Sequence, residues 1–352
     1  MAKNIEKEMT KEQRIFLLVD WKDEGNFFLH KELQKEGLNV QLIDIPNYSM
    51  KDRTVKIRII IMYFKYVIQA IKAVWLSTPE DVIVCWNFTT GIGVGLVSRL
   101  FFCKRRILAV NMIAHYSSGF VSKIRYLIFH FAMNQSTFYL TVNSADYISV
   151  NAKRFGVPEK NFFVLHDPVN DKLEFAVDVK DGFYVFSGGE AQRDWDIYFE
   201  AAKKLPDISF VGVARKKFFD PAQIIPDNVD MRFDLEYEAF YQLMGSARIV
   251  VLPLKSVLPC GLIVICNAAL MKKAIIATRT PSTKNYIVQN ETGVLVEMHD
   301  ANNLKNEIQC LFMNENERIR LGENLNKYVT REFTIQKYMD TFKTILKAVK
   351  YE

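Results

Sequence analysis

The chain has 352 residues, 49% hydrophobic and 24% charged, which is typical of a globular protein with room for two domains and excludes a disordered chain. Its five cysteines are odd in number and lack metal-ligand spacing, so we expect reduced thiols rather than a disulfide scaffold. The net charge of +6 is unevenly spread, because residues 51–150 hold 12 Lys and Arg against 4 Asp and Glu. This basic, aromatic region predicts an anionic partner.

Apolar runs alternate with amphipathic stretches along the first half of the chain. The predicted strands are Ile15–Val19, Val40–Ile45, Asp81–Trp86, Arg106–Met112, Phe138–Val142 and Phe162–Leu165. The predicted helices are Asn26–Glu36, Lys56–Leu76, Gly91–Phe102, Lys123–Met133 and Ala145–Phe155. This alternation indicates a parallel sheet with helices on both faces.

The same pattern restarts after the charged segment Asp171–Gly182. The predicted strands are Phe183–Phe186, Ser209–Val213, Ile249–Leu252, Ala274–Thr278 and one more before Val296. The predicted helices are Asp194–Lys204, Glu238–Gly245, one opened by Gly261, Ala301–Phe312, Glu315–Tyr328 and Phe333–Lys350. We therefore predict two Rossmann-like domains joined near residues 168–182, with a ligand cleft at the carboxyl ends of their strands.

Two loops of the second half have the composition of phosphate-binding turns. In the stretch Phe186–Trp195, Gly188 and Gly189 precede Arg193 and a helix start. Glycines let the backbone approach a ligand, and an arginine can bind a diphosphate with two hydrogen bonds. In the second loop, Gly261 opens a helix whose first N–H groups and dipole favour an anion. A plain turn with a surface arginine is the alternative for the first loop.

The stretches FSGGEAQRDWDIYFEAAKKLP, LPL…CGLIVICNAALMKKAIIAT and NYIVQNETGVLV resemble the donor half of GT-B glycosyltransferases, nearest to the retaining family-4 type. The resemblance implies an α/β GT-B fold with two Rossmann-like domains, a cleft between them, and a C-terminal helix that returns to the N-terminal domain. It implies an acceptor domain over residues 1–170, a nucleotide-sugar donor domain over 180–332 and a returning helix over 333–352.

The resemblance also assigns donor-binding residues. The nucleotide diphosphate would contact Gly188, Gly189 and Arg193, and its distal phosphate would contact the amides of Cys260, Gly261 and Leu262. The family usually carries two glutamates eight residues apart around this helix start, and here those positions hold Pro259 and Asn267. Asn267 can still hydrogen-bond a ribose hydroxyl, whereas Pro259 has no donor for the sugar.

The resemblance assigns further residues to the first half of the chain. His115 follows a predicted strand at its carboxyl end, where a family histidine lies near the donor sugar, so His115 joins Arg193 as a catalytic candidate. A structural histidine is the alternative. Gly25 and Asn26 lie in the first strand–helix turn, where relatives line the acceptor cleft.

Two other motifs have simpler interpretations. Gly91-x-Gly93-x-Gly95 has the wrong spacing for a dinucleotide fingerprint, so we expect close helix–strand packing there. Asp194-x-Asp196 could be a metal-binding pair, but acids are also favoured in the first turn of a helix. We expect no metal and no cofactor.

The predicted helix Lys56–Leu76 is long enough to span a bilayer, but Arg58, Lys65 and Lys72 interrupt it at seven-residue intervals. That pattern is typical of a helix lying in a membrane interface. A buried helix with one solvated stripe is the alternative. Nucleic acid is not expected as a partner, because no recognition motif is present.

Together these features predict a glycosyltransferase that moves a sugar from a nucleotide diphosphate sugar to a lipid-linked or oligosaccharide acceptor in bacterial surface polysaccharide synthesis. The resemblance implies retention of configuration and no catalytic metal. The basic region 51–150 would meet an anionic membrane surface, and we expect a cytoplasmic, peripheral protein on the inner face of the plasma membrane. A non-catalytic GT-B partner of another transferase and a GT-B epimerase are the alternatives.

Overall fold

The computed structural model describes residues 14–45, 56–113, 119–169, 173–190 and 192–351. The chain divides into two compact units. Unit 1 consists of Met1–His166 and Tyr338–Glu352, and unit 2 of Asp167–Lys337. Each unit is built on one six-stranded parallel sheet.

The sheet of unit 1 has buried central strands. Its strands are β1 (Arg14–Leu18), β2 (Asn39–Ile43), β3 (Val82–Cys85), β4 (Arg106–Ala109), β5 (Phe138–Val142) and β6 (Phe162–Val164). They lie in the order β2-β1-β3-β4-β5-β6, so the direction of the connections reverses between β1 and β3. Continuous apolar runs suit such strands because helices cover both faces of a parallel sheet. The predicted strands of this half are confirmed, with ends shifted by up to three residues.

Helices cover both faces of this sheet. They are α1 (Phe28–Lys35), α2 (Lys56–Leu76), α3 (Phe88–Leu100), α4 (Phe120–Met133), α5 (Asp146–Phe155) and the last helix of the chain, α12 (Ile335–Tyr351). Right-handed crossovers place α2, α3 and α4 side by side on one face, and α3 packs against both neighbours. On α12, the ring of Tyr338 lies 5.5 Å from that of Phe28, and Lys343 Nζ lies 2.9 Å from Glu36 Oε1.

The glycines of α3 allow the close packing expected from the sequence. A Cβ on Gly91 would lie 2.6 Å from Cβ of Ala109 on β4, and one on Gly95 would lie 2.7 Å from the carbonyl oxygen of Ala132 on α4. Larger residues would therefore push α3 away from the sheet and from α4. The Gly-x-Gly-x-Gly motif serves packing in unit 1.

Unit 2 has the Rossmann strand order. Its strands are β7 (Tyr184–Gly189), β8 (Ser209–Ala214), β9 (Val229–Phe233), β10 (Ile249–Leu252), β11 (Ile275–Thr278) and β12 (Val294–Val296). Its helices are α6 (Trp195–Lys203), α7 (Tyr237–Gly245), α8 (Leu262–Leu270), α9 (Thr283–Tyr286), α10 (Ala301–Met313) and α11 (Glu315–Glu332). The strands lie in the order β12-β11-β10-β7-β8-β9, so the connections reverse between β7 and β10.

The hydroxyl of Tyr198 fixes α6 against this sheet. The side chain is fully buried, and its oxygen lies 2.9 Å from the carbonyl oxygen of Val185 and 3.0 Å from that of Val211. These carbonyls belong to β7 and β8. Helix α6 is thereby held at one position along the two strands, which also fixes the loop that precedes the helix.

The structure differs from the sequence prediction at three elements of unit 2, one of which is the short helix α9, which was not predicted. Strand β9 was missed because its residues alternate, with Asp230 and Arg232 exposed on an edge strand and paired at 2.8 Å. Strand β7 is longer than predicted, since Gly188 and Gly189 are its last residues, in register with Val213 and Ala214 of β8. The glycines therefore end a strand, and the turn comes after them.

Candidate functional site

The two predicted phosphate-binding loops meet at one edge of unit 2. Strands β7 and β10 are neighbours, and the connections that leave them run to opposite sides. Parallel sheets bind ligands at the carboxyl ends of strands where the order reverses in this way. The loop after β7 contains Arg193, and the loop after β10 contains Cys260 and Gly261.

Backbone hydrogen bonds tie these loops together. Arg193 and Leu254 form an isolated antiparallel bridge. The N–H of Asp194 donates to the carbonyl of Pro253 at 3.0 Å, and the N–H of Lys255 donates to that of Gln192 at 3.1 Å. The loops therefore form one pre-arranged surface at the switch point.

The two glycines of β7 leave room for neighbouring side chains. A Cβ on Gly188 would lie 2.5 Å from the ring of Phe240. Gly189 has a φ of +140°, and a Cβ there would lie 2.2 Å from Nη2 of Arg193. Only glycine fits at position 189 while the guanidinium group stays against the backbone.

Arg193 is a buried cation and not a surface arginine. Only 6% of the residue is exposed, and Nε donates a hydrogen bond to the carbonyl of Gly188 at 2.7 Å. Burial lowers the pKa of the guanidinium to about 10, so the group still carries its charge at neutral pH. A positive charge in this low-dielectric position acts strongly on an anion bound at the end of β7.

Asp194 has a structural role in the same loop. Its Oδ1 accepts a hydrogen bond from the N–H of Ile197 at 3.2 Å and caps α6, and its Oδ2 lies 3.5 Å from Nδ1 of His299. Asp196 accepts from Gln223 Nε2 at 2.7 Å. Across the described ranges, no group of three or more His, Cys, Asp or Glu side chains is arranged to hold a metal ion.

Helix α8 begins with an uncapped end at the switch point. Gly261 has a φ of +82°, and a Cβ there would lie 2.8 Å from the side chain of Leu252. No side chain caps the helix, and the N–H groups of Val264 and Ile265 both donate to the Gly261 carbonyl. No side-chain cap therefore competes with an anionic ligand for the first amides of α8.

Cys260 lies within electrostatic range of Arg193, so the structure brings the two predicted phosphate contacts together. Burial raises the pKa of the Cys260 thiol, and the charge of Arg193 opposes that increase. The thiol is therefore neutral at physiological pH. The contribution of Cys260 to phosphate binding would therefore come from its backbone, which lies immediately before Gly261.

Asn267 lies inside α8. Its Nδ2 donates to the carbonyl of Ile263 at 2.9 Å and to the hydroxyl of Tyr241 at 3.3 Å, which fixes the orientation of the amide. The Oδ1 atom remains an acceptor for a hydroxyl group. Pro259 is half-buried in the loop before α8.

The remaining predicted residues belong to unit 1. Gly25 has a φ of +80° and is exposed, and Asn26 donates its N–H to Asp23 Oδ1 at 3.3 Å. Asn26 Oδ1 accepts from Lys31 Nζ at 3.3 Å. His115 lies outside the described residues.

Sequence reasoning missed an aromatic group at the switch point of unit 1. The ring of Phe27 lies 5.2 Å from that of Trp21 and 4.7 Å from that of Trp86. Nearby, the buried carboxylate of Asp20 accepts a hydrogen bond from the hydroxyl of Tyr66 at 3.1 Å. The sequence signal for this group was the position of its residues after the strands. Asp20 and Trp21 follow β1 closely, and Trp86 follows β3 directly.

Comparison with known families decides the general activity. Residues 210–328, about a third of the chain, match the model of the family Glycosyl transferases group 1. The chain is a glycosyltransferase. The matched segment begins in β8 and includes the loop after β10 and helix α8. No curated protein matches the sequence of this glycosyltransferase.

Solved structures resemble the glycosyltransferase over nearly its whole length. HepE (Alr3699) from Anabaena, in complex with UDP and glucose, is 13% identical over 96% of this chain and 100% of its own, with a TM-score of 0.65. Sucrose-phosphate synthase from Thermosynechococcus elongatus is 15% identical over 96% and 99%, with a TM-score of 0.70. A glycosyltransferase from Rickettsia africae is 13% identical over 97% and 99%, with a TM-score of 0.62. These likenesses confirm the predicted GT-B fold.

Proposed function

We propose that the protein transfers a sugar from a nucleotide diphosphate sugar, bound at the β7/β10 switch point of unit 2, to a saccharide acceptor bound by unit 1. The observation that carries this proposal is the buried charge of Arg193 beside the uncapped start of α8. The related HepE structures contain UDP or UDP-glucose, which supports a uridine diphosphate sugar as the donor class.

The site suits stabilisation of a departing diphosphate. Negative charge develops on the leaving group in the transition state, and a fixed guanidinium and fixed amides stabilise that charge without reorganisation. Arg193 would bind the diphosphate together with the backbone of Gly188 and Gly189. The amides of Cys260, Gly261 and Leu262 would bind the distal phosphate, and Asn267 Oδ1 would accept a hydrogen bond from a ribose hydroxyl.

Both carboxylates among the described residues of the loop after β7 already have partners. Glu190 is 3.0 Å from Nε of Arg215, and Asp194 caps α6. We propose transfer with retention of configuration, in which the leaving phosphate, and no enzymatic carboxylate, receives the proton of the acceptor hydroxyl. We propose that the reaction needs no metal ion, with Arg193 and α8 supplying the charge stabilisation, and that His115 contacts the donor sugar.

We further propose that the acceptor is lipid-linked, that the reaction belongs to bacterial surface polysaccharide synthesis, and that the enzyme works on the inner face of the plasma membrane. Gly25, Asn26 and the aromatic group around Phe27 would line the acceptor side. The support for a membrane location is the basic composition of residues 51–150 together with the exposed apolar side chains described below.

Replacement of Arg193 tests the proposed function. Arg193→Ala should lower the rate of donor turnover by about 100-fold or more, by analogy with the loss of an oxyanion donor. Arg193→Lys should recover only part of this loss, because lysine keeps the charge but lacks the planar donor fork. Arg232→Ala, on the edge strand β9, is the matched control and should leave turnover unchanged. Normal turnover by a folded Arg193→Ala variant would refute the assignment.

A non-catalytic partner of another transferase is the second candidate, favoured by Pro259 and Asn267 in place of the usual glutamates. Incubation of the purified protein with UDP-sugars separates the two functions. Hydrolysis or transfer of the sugar by the chain alone, abolished in Arg193→Ala, excludes the partner role. Donor binding without any turnover, with or without acceptor, would support it.

A further inference from the structure

Helix α2 exposes large apolar side chains along one stripe. Phe64, Ile68, Ile71 and Trp75 succeed one another at intervals of three and four residues and are all exposed, with Trp75 82% exposed. Residues at this spacing share one face of a helix. The opposite side of α2 packs Ala70 and its buried neighbours into the core. The exposed stripe therefore faces away from the sheet.

Helix α4 carries a second stripe of the same kind. Phe120, Ile124, Leu127 and Phe131 are exposed, with Phe120 at 77%. Their spacing again places them on one face of the helix. Because α2 and α4 lie on the same face of the sheet with α3 between them, the two stripes look outward from the same side of unit 1.

The segment after α3 joins the two stripes at one end. Leu100, Phe101 and Phe102 are exposed, with Phe102 at 96%. Arg105 holds this segment to the end of α2, since its Nε lies 3.0 Å from Ser77 Oγ. Arg99 holds the start of the segment to the end of α4, with its guanidinium carbon 4.5 Å from the Phe131 ring centre. The exposed residues of α2, of α4 and of 100–102 therefore form one surface, which we call the apolar face.

The charged side chains on the three helices beside the apolar face are all basic. Helices α2, α3 and α4 contain no Asp or Glu, and no carboxylate side chain occurs from Val82 to Ala145. Lys65 and Lys72 lie seven residues apart beside the α2 stripe, and the exposed Lys123 lies on the α4 stripe. Long cationic side chains at the border of an apolar surface can reach anionic headgroups while their stems stay among apolar groups.

These charges decide which partner fits. A second copy of the chain related by two-fold symmetry would bring these lysines close to the same lysines of its partner, which is unfavourable. No helix in the described part of the chain is long and apolar enough to cross a membrane. Aromatic residues and lysines at the rim of an apolar surface match the interface of a bilayer that contains anionic lipids.

We infer that the apolar face inserts into the headgroup region of an anionic phospholipid bilayer, with Trp75, Phe102 and Phe120 as its deepest anchors. This inference rests on the proposed function for the identity of the membrane. The apolar face would be the part of unit 1 that meets the membrane holding the lipid-linked acceptor. The cations Lys65, Lys72 and Lys123 would contact lipid phosphates at its rim.

Vesicle flotation with the full chain tests the inference. Vesicles of phosphatidylglycerol and phosphatidylcholine should float the protein, and pure phosphatidylcholine should bind it at least about tenfold more weakly at low salt. The triple variant W75S/F102S/F120S should bind anionic vesicles about 30-fold more weakly or worse. The matched control I224S/M313S/I319S removes three exposed apolar residues from unit 2 and should bind as the wild type does.

A second measurement does not depend on the triple variant. Trp75 is the most exposed of the four tryptophans, so anionic vesicles should shift its fluorescence to the blue, and lipids brominated on the acyl chains should quench it. Trp75→Phe should lose both signals and still float. Donor binding by Arg193→Ala is measured without vesicles. A wrong assignment of the donor site and a wrong assignment of the membrane contact would therefore show up in different experiments. Equal flotation of wild type and triple variant, or a dimer that the triple variant dissociates, would overturn the inference.

Discussion

Gly189→Ala separates the role of the glycine from that of Arg193. The added Cβ would lie 2.2 Å from Nη2 and 2.7 Å from Cζ of the guanidinium, at a backbone φ of +140°. Strain at such a position costs about 1–2 kcal/mol. Displacing the guanidinium also breaks the hydrogen bond to Gly188, which for a charged donor costs about 1.5–3 kcal/mol. We expect the free energy of unfolding to fall by about 2.5–5 kcal/mol, the sum of these two costs.

The melting temperature of unit 2 should then fall by about 5–20 °C, measured by scanning calorimetry. Affinity for UDP, measured by titration calorimetry, should fall as far as it does in Arg193→Ala. The control is Gly37→Ala, because Gly37 also has a positive φ, +76°, but a Cβ there would meet nothing within 4 Å. This control should show the strain alone, about 1–2 kcal/mol, and no change in UDP affinity.

A double-mutant cycle sharpens this test. If Gly189 matters because it makes room for Arg193, then adding Gly189→Ala to Arg193→Ala should cost only the backbone strain, and UDP affinity should not fall further. A folded Gly189→Ala variant with normal UDP affinity, and with no greater loss of stability than Gly37→Ala, would refute the proposed contact between the glycine and the guanidinium.

Two other residues of unit 2 give further predictions. Asn267→Ala should weaken UDP-glucose binding by about fivefold to tenfold, since a hydrogen bond contributes about 1 kcal/mol, and binding of inorganic diphosphate, which has no ribose, is the control that should not change. Lys273 is buried with its Nζ donating to the carbonyl of Ala247 at 2.7 Å, and burial lowers its pKa to about 8. A side chain whose pKa is lowered by folding contributes stability above its unfolded pKa, near 10.5, and that contribution is lost as the pH falls through 8. The wild type should therefore gain stability over Lys273→Met between pH 8 and 10 in urea titrations. A difference in stability that stays constant over this range would contradict the prediction.

Much of the fold could be predicted because its central strands are buried on both faces. Short apolar runs rich in β-branched and aromatic residues, such as FYLTV in β5, favour a buried strand over a helix. Strand β9 lacked that signal, since edge strands expose every second residue. The short helix α9, Thr283–Tyr286, has no periodicity to detect.

The parts of the candidate site that depend on backbone conformation could be predicted from the sequence. Gly189 and Gly261 were identified from the sequence, and both have the positive φ that favours glycine. The burial of Arg193 could not be predicted, because it depends on the bridge to Leu254, which is 61 positions later in the chain. The grouping of Trp21, Phe27 and Trp86 likewise arises only when β1 and β3 become neighbours.

The division of the chain has a consequence for biosynthesis. Unit 1 is completed by α12, whose Tyr338 packs on Phe28 and whose Lys343 pairs with Glu36, although some 300 residues separate these partners in the sequence. Unit 2 is continuous in sequence and can be finished while the ribosome still holds the last helix. Unit 1 must wait for that helix. A chain halted before Tyr338 would therefore carry a complete unit 2, while side chains that α12 covers in unit 1, such as Phe28, would be open to chaperones.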